Sequence, residues 1–285
     1  MTPPPRATTP LAITPLATTR AVILARGLGT RMRQADPGAT LDAQQAAVAD
    51  AGVKGMIPIA RPFLDYVISA LADAGITDVC LIIGPEHQAV RDYYGALAMS
   101  RVRVHFAIQH EPRGTADAVA AAREFAADAT FLVLNSDNYY PVEAYRALAA
   151  IAGSGLVGFE REALVAESNI PEERIRRFAL VATDATGALT EIVEKPDEAT
   201  YARMSQHALV SMNLWSFSPA IFEACAQVQP SPRGELELQD AVRIAMHELG
   251  ERFTVVPMAA GVLDLSSRRD IPAVAARLDG VTVAL

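Results

Sequence analysis

From Ala21 onward, short β-branched and aliphatic runs alternate with stretches whose apolar positions recur every three or four residues. The runs at 21–25, 78–83, 102–108, 130–135 and 155–159 predict strands, and helices are predicted between them at 61–74, 86–98, 115–127 and 141–152. Strands that alternate with helices in this way build a mostly parallel sheet covered on both faces. After residue 160 the rhythm changes. Residues 177–196 predict a hairpin that turns at Asp184-Ala185-Thr186-Gly187. A strand at 208–217, helices at 219–226 and 235–249, a strand pair at 253–265 and a last helix at 269–278 complete the chain.

The expected fold class is therefore α/β, a Rossmann-like, mixed but mostly parallel sheet flanked by helices. Residues 1–20, rich in Pro, Thr and Ala, predict a flexible leader. Residues 21–285 predict one domain, with a first half to about residue 155 and a more irregular second half. The run Gln34–Val53 carries a helical pattern between a glycine-rich turn and Lys54, and it reads as a lid or as a surface insertion.

Composition narrows the classes. Apolar residues make up 51% of 285, which supports a substantial core, and a formal charge of −8 argues against non-specific nucleic-acid binding. No apolar stretch approaches the ~18 residues needed to span a membrane. Two unpatterned cysteines, Cys80 and Cys225, predict buried thiols in a reducing, cytoplasmic compartment rather than a disulfide framework or zinc site. The five histidines show no ligand spacing and receive no role.

Of the twenty-five basic residues only Lys54 and Lys195 are lysines. In a chain this biased toward arginine, a lysine marks a place where a compact ammonium serves and a planar guanidinium does not. The first strand runs into Gly27-Leu28-Gly29-Thr30-Arg31, where backbone N–H groups are able to surround phosphate oxygens and Arg31 to clamp them. Asp137 follows a strand ending, at the sheet edge where open α/β folds bind ligands, and Asp264 ends another apolar run. Two hard carboxylates converging on one point suit Mg²⁺; the competing reading makes Asp137 a turn residue and Asp264 an N-cap of the last helix.

The segment Leu24-Ala25-Arg26-Gly27-Leu28-Gly29-Thr30-Arg31-Met32 resembles the signature of sugar-1-phosphate nucleotidyltransferases. Further motifs follow in that family's order. They are Lys54-Gly55-Met56-Ile57-Pro58, Arg61-Pro62-Phe63-Leu64, Gln109 with Arg113-Gly114-Thr115-Ala116-Asp117, Asn135-Ser136-Asp137-Asn138 and Glu194-Lys195-Pro196. Ser211-Met212-Asn213-Leu214-Trp215, Arg233-Gly234-Glu235-Leu236-Glu237 and Leu263-Asp264-Leu265 complete the series, which covers about residues 20–272. Some segments look most like glucose-1-phosphate thymidylyltransferases, others like the catalytic domain of ADP-glucose pyrophosphorylases.

The resemblance implies a GT-A-like nucleotidyltransferase fold and a cytoplasmic Mg²⁺ enzyme. It would join an NTP to a sugar 1-phosphate, or a sugar-like cyclitol phosphate, giving NDP-sugar and pyrophosphate. Arg31, Lys54 and Asp137 would be catalytic, with Asp137 and Asp264 sharing the metal. Leu24, Arg26, Gly27, Gly29, Thr30, Gln109, Gly114 and Thr115 would bind the nucleotide. Asn138, Glu194, Lys195, Asn213 and Arg233 would bind the sugar phosphate, although Arg233 reads equally as a loop cap. No nucleic-acid or membrane partner is expected, and self-association is left open.

The Gln109 amide, a donor and an acceptor together, favours dTTP or UTP while leaving GTP and ATP open. Several positions depart from the family pattern. Arg26 stands where a small residue is usual, Asn213 and Ala179 where Gly is frequent, and Val262 where a bulky aromatic is common. The span from Arg31 to Lys54 is roughly twice the usual length. No left-handed β-helix is expected after the catalytic part. Two rival readings remain: a GT-A-like glycosyltransferase that consumes an NDP-sugar, and a catalytically silent regulatory homologue.

Overall fold

A computed structural model describes residues 16–285. Among these residues eleven strands form: β1 Arg20–Leu24, β2 Asp78–Ile83, β3 Arg103–Ile108, β4 Phe131–Asn135, β5 Asn138–Tyr139, β6 Gly155–Phe159, β7 Ala179–Thr183, β8 Leu189–Val193, β9 Leu209–Phe217, β10 Thr254–Met258 and β11 Leu263–Asp264. Nine of them make one sheet in the order β10-β6-β9-β4-β1-β2-β3, with β7 joined to β9 and β8 to β7. The β3-β2-β1-β4 side is parallel throughout, whereas β9 runs antiparallel to β4, β6 and β7. The sheet is thus mixed, as the change of rhythm after residue 160 predicts. Successive residues of β1 enter opposite cores: Ala21 and Ile23 pack into one apolar layer, Val22 into the other.

The connections decide where a ligand can sit. From β1 the chain goes outward to β2 and β3, then returns to lay β4 on the other flank of β1. Open α/β sheets bind ligands in the crevice that such a reversal leaves outside the carboxyl ends of the strands. Here that crevice opens between the glycine-rich turn after β1 and the Asn135–Asn138 segment after β4, where Leu24 and Asn135 pair.

Several local expectations need correction. The predicted strand pair at 253–265 does not exist as a pair: β10 lies parallel to β6, and β11 pairs with β5. The helix expected from residue 235 begins at Leu238, because Leu236 is engaged elsewhere, its N–H on the Arg113 carbonyl and its carbonyl on the Ala116 N–H. The helix expected at 115–127 divides into Thr115–Ala120 and Arg123–Ala126. Most of the predicted leader lies outside the described residues. Its end is not loose, since Ala17 and Thr18 donate N–H groups to the Ala149 carbonyl at 2.7 and 3.2 Å.

The run 34–53 is a docked insertion. Asp42 and Gln45 form a capping box that starts the helix Ala43–Ala51, and Gly52 ends it. Gln45 Nε2 donates to the Pro58 carbonyl at 2.9 Å, Arg268 Nε to the Met32 carbonyl at 2.8 Å, and Arg269 Nη2 to Asp36 at 3.0 Å. The Arg61-Pro62-Phe63-Leu64 motif serves the frame. Asp65, fully buried, accepts from Arg61, Tyr93 and Tyr94, while the Phe63 N–H bonds the Ile57 carbonyl.

Candidate active site

The glycine-rich turn is shaped by what packs behind it. Gly29 takes φ +61°, and a Cβ there would lie 2.3 Å from the Gly52 carbonyl oxygen, so the turn closes onto the end of the inserted helix. Gly27 has open space around its Cα, which leaves the backbone free for close approach by a phosphate. This turn lines a cavity of about 370 Å³ together with Leu24, Arg31, Lys54, Gln109 and Asp137. Arg26, Gly27, Gly29, Thr30, Gly114 and Thr115 line the same cavity, so all eight expected nucleotide-binding residues meet there.

On the far wall Gly114 takes φ +124°, and a Cβ would meet the Leu236 carbonyl oxygen at 2.4 Å. Thr115 Oγ1 accepts from the Leu238 N–H at 2.9 Å. The Arg113–Thr115 and Glu235–Leu238 motifs, far apart in sequence, are therefore one structural unit. Gln109 is buried and donates through Nε2 to the Gly114 carbonyl at 3.0 Å and to Asp117 at 2.8 Å. A carboxylate only accepts, so the amide sense is fixed and its oxygen is the group left for a ligand. Arg26 is largely buried, paired to Glu86 at 3.3 Å, and its Nε and Nη1 have no partner.

The two candidate metal carboxylates meet through a two-stranded ladder. Asp264 pairs with Asn138 in register, and the Leu265 N–H donates to the Asp137 carbonyl at 2.8 Å. Asp264 is not the N-cap of the last helix, a position held by Arg269. Burial and the nearby Asp137 charge raise the Asp264 carboxyl above its usual range. Lys54, on a 3₁₀ turn, donates to Asp137 Oδ2 at 2.7 Å. Among the described residues no third His, Cys, Asp or Glu joins the pair. Two hard oxygen ligands fit a divalent cation that keeps waters and bridges phosphates, rather than a closed all-protein cage.

Next to the large cavity lies a smaller one of about 100 Å³, which shares Leu24, Thr115 and Asn135 with it. Glu194, Asn213, Glu237 and Gln239 line it. Asn213 takes φ +59°, a left-handed conformation that Asn tolerates better than most residues, which accounts for Asn at a position that favours Gly. Gln239, which sequence reasoning missed, is buried and donates to Asn213 Oδ1 at 3.1 Å and to Glu194 Oε2 at 3.3 Å. Its signal was a polar residue on an otherwise apolar helix face. Burial raises the Glu194 carboxyl above its usual range.

Three expected sugar-phosphate residues stand elsewhere. Asn138 Nδ2 points to Asp264 Oδ2 at 3.4 Å, on the carboxylate side. Lys195 and Arg233 line an outer cleft of about 790 Å³ that shares Glu194, Glu237 and Gln239 with the small cavity. Arg233 is paired with Glu237 at 2.5 Å.

The protein is thus of the α/β class, with a cavity at its strand reversal and a carboxylate pair beside it. The Nucleotidyl transferase family model matches residues 20–264, and the chain belongs to that family. The low-salt glycan biosynthesis nucleotidyltransferase Agl11 of Haloferax volcanii is 30% identical over 236 residues, 80% of this chain and 57% of that protein. The UTP–glucose-1-phosphate uridylyltransferase AglF of the same organism is 26% identical over 88% of this chain and 93% of its own length. A glucose-1-phosphate thymidylyltransferase of Streptomyces griseus is 29% identical over 79% of this chain and 56% of its own. The chain thus spans little more than half of two of these relatives. A crystal structure of UDP-glucose pyrophosphorylase with UDP-glucose superposes with a TM-score of 0.66 at 16% identity, covering 91% of this chain and 98% of that one. Among the described residues no helix is long and apolar enough to cross a membrane.

Proposed function

We propose that this protein is a cytoplasmic sugar-1-phosphate nucleotidyltransferase that makes an NDP-sugar and pyrophosphate from an NTP and a sugar 1-phosphate or sugar-like phosphate. The observation that carries this reading is the adjoining pair of cavities at the β1/β4 crevice. The larger is walled by a glycine turn, Arg31 and Lys54; the smaller by the carboxylates and amides of Glu194, Asn213, Glu237 and Gln239, which suit hydroxyl groups.

A phosphate oxygen of the acceptor attacks the α-phosphorus, the bond to the β-phosphate breaks, and pyrophosphate leaves with its electron pair. The nucleophile is already an anion, so positioning and charge stabilisation carry the rate. The glycine turn holds the phosphates. Arg31 and Lys54 neutralise charge on the α-phosphate and the leaving pyrophosphate. Glu194 and Asn213, cross-braced by Gln239, orient the acceptor, and Lys195 and Arg233 approach its phosphate from the outer cleft. Mg²⁺ held by Asp137 and Asp264 would supply Lewis-acid stabilisation of the phosphate oxygens. A matrix of NTPs against sugar 1-phosphates, read by pyrophosphate release, tests the reaction. NDP-sugar consumption without pyrophosphate formation would favour a glycosyltransferase, and no turnover in any pair a regulatory homologue.

The free Gln109 oxygen is an acceptor for the N3–H of uracil or thymine, as it would be for the N1–H of guanine or the N6 amino group of adenine, and the similarity to a UTP–glucose-1-phosphate uridylyltransferase and a thymidylyltransferase supports the pyrimidine. UTP or dTTP is the base reading. Arg26, which lines the cavity, supports a second reading, GTP, whose O6 and N7 are acceptors. Equilibrium binding of four nucleotides to the wild type and to Arg26→Gly decides between them: a GTP preference lost in the variant overturns the pyrimidine reading.

A further inference from the structure

The segment between β6 and β7 grips Asp264 twice. Asn169 brackets its backbone, accepting from the Asp264 N–H at 2.8 Å and donating to its carbonyl at 2.8 Å. Arg174, on the short helix Glu172–Ile175, reaches the side chain: Nη2 lies 3.2 Å from Asp264 Oδ1, while Nη1 lies 3.3 Å from Asp270 Oδ1. The Arg174 side chain is 21% exposed, and those of Asp264 and Asp270 are 8% and 9% exposed. Asp137 in turn carries the Lys54 ammonium at 2.7 Å.

Each candidate metal carboxylate is thus matched by a fixed internal cation. A guanidinium cannot shed its proton, so a divalent cation arriving at Asp264 meets a permanent like charge already on that carboxylate. Nothing else among the described residues adds a third acidic or imidazole ligand to compensate. Triphosphate oxygens would do so, because they bring both ligands and negative charge.

We propose that Arg174 is a positioning residue that holds Asp264 as an ion pair in the nucleotide-free protein and weakens the site's own affinity for divalent cations. The cation is then bound well only together with nucleotide phosphates. This rests on the reading that Asp137 and Asp264 hold the metal.

The experiment is a Mn²⁺ titration of the full chain, with free ion counted by electron paramagnetic resonance, with and without UTP. Without nucleotide, Arg174→Ala and Arg174→Gln tighten Mn²⁺ binding by about tenfold, the expected scale for removing a like charge a few ångströms away. Arg174→Lys keeps the weak wild-type affinity. The difference between wild type and Arg174→Gln shrinks when UTP is present. Arg174→Gln retains amide donors toward Asp270, and thermal melts identify any variant that fails to fold. Equal, weaker or undetectable Mn²⁺ binding in both neutral variants overturns the proposal, as does tightening in Arg174→Lys. Asp264→Asn separates the two layers: if it binds Mn²⁺ as the wild type does, the carboxylate pair is not the metal site and the underlying reading fails.

Discussion

The two halves of the crevice solve their problems differently. On the proposed nucleotide side the backbone shapes the site: a tight turn after a parallel strand, closed by Gly29 against Gly52, with Arg31, Lys54 and Gln109 set around the cavity. On the acceptor side the backbone is antiparallel and irregular, and side chains dominate, with Glu194 and Asn213 braced by Gln239. A triphosphate is recognised by N–H groups, which any sequence with the right turn supplies, and by a few cationic side chains. A sugar is recognised by hydroxyl partners, which must be individual side chains. The nucleotide wall is therefore sensitive to backbone geometry, the acceptor wall to side-chain identity.

The largest expected effect falls on the carboxylate pair that joins the two sides. Asp137→Ala or Asp264→Ala lowers turnover by on the order of 10²–10³, the scale of one lost preorganised electrostatic element, and EDTA does the same to the wild type. Pyrophosphate release is the readout; full activity of Asp264→Ala with metal present separates the pair from the chemistry. Lys54→Ala falls almost as far, and Lys54→Arg does not restore it, because the half-buried site on Asp137 fits an ammonium.

Gly114→Ala breaks the nucleotide wall without touching a charge. The added Cβ meets the Leu236 backbone at a positive φ, so stability falls by ~2–4 kcal/mol in denaturant titrations. The KM for NTP rises with it. A variant as stable as the wild type would mean that the 113–115 and 235–238 segments are not locked together.

Gln239→Leu sharpens the contrast from the other side. It removes the brace between Asn213 and Glu194, raising the acceptor KM by about tenfold, the scale of one or two lost hydrogen bonds, with the NTP KM nearly unchanged. An equal rise in both KM values would erase the distinction between the walls.

The smallest effect is on stability and depends on pH. Burial raises the Glu194 carboxyl, so the folded state holds its proton more tightly than the unfolded state does. Ionising it costs the fold stability as pH rises through that raised value, and Glu194→Gln removes the cost. The variant is therefore more stable than the wild type above that raised value, and the gain vanishes below the ordinary Glu range. Thermal melts across pH check the sign, while acceptor binding in the same variant weakens.

Much of the nucleotide side was legible in the chain. Its determinants are contiguous: the apolar run of β1 and then Gly27, Gly29, Thr30 and Arg31 lie within a dozen residues, where periodicity and turn chemistry act locally. Gln109, Gly114 and Thr115 share one loop for the same reason. The acceptor side was legible only in part. Glu194 and Asn213 were anticipated and do line one cavity, but the Asn138 amide turned to Asp264, and Lys195 and Arg233 face the outer cleft.

What the sequence determined by itself is the set of local elements and the side chains they carry: an alternating α/β order, a glycine-rich turn, two isolated lysines and two aspartates at strand ends. Tertiary structure alone decided which of these meet. Asp264 reaches Asp137 because β11 pairs with β5 across more than a hundred residues. Gly114 needs its φ because Leu236 packs on it, and Arg174 finds Asp264 only because its short helix folds over the ladder. Propensity and periodicity act over a few residues of chain, whereas strand pairing and ion pairing act through space, so no local pattern contains them.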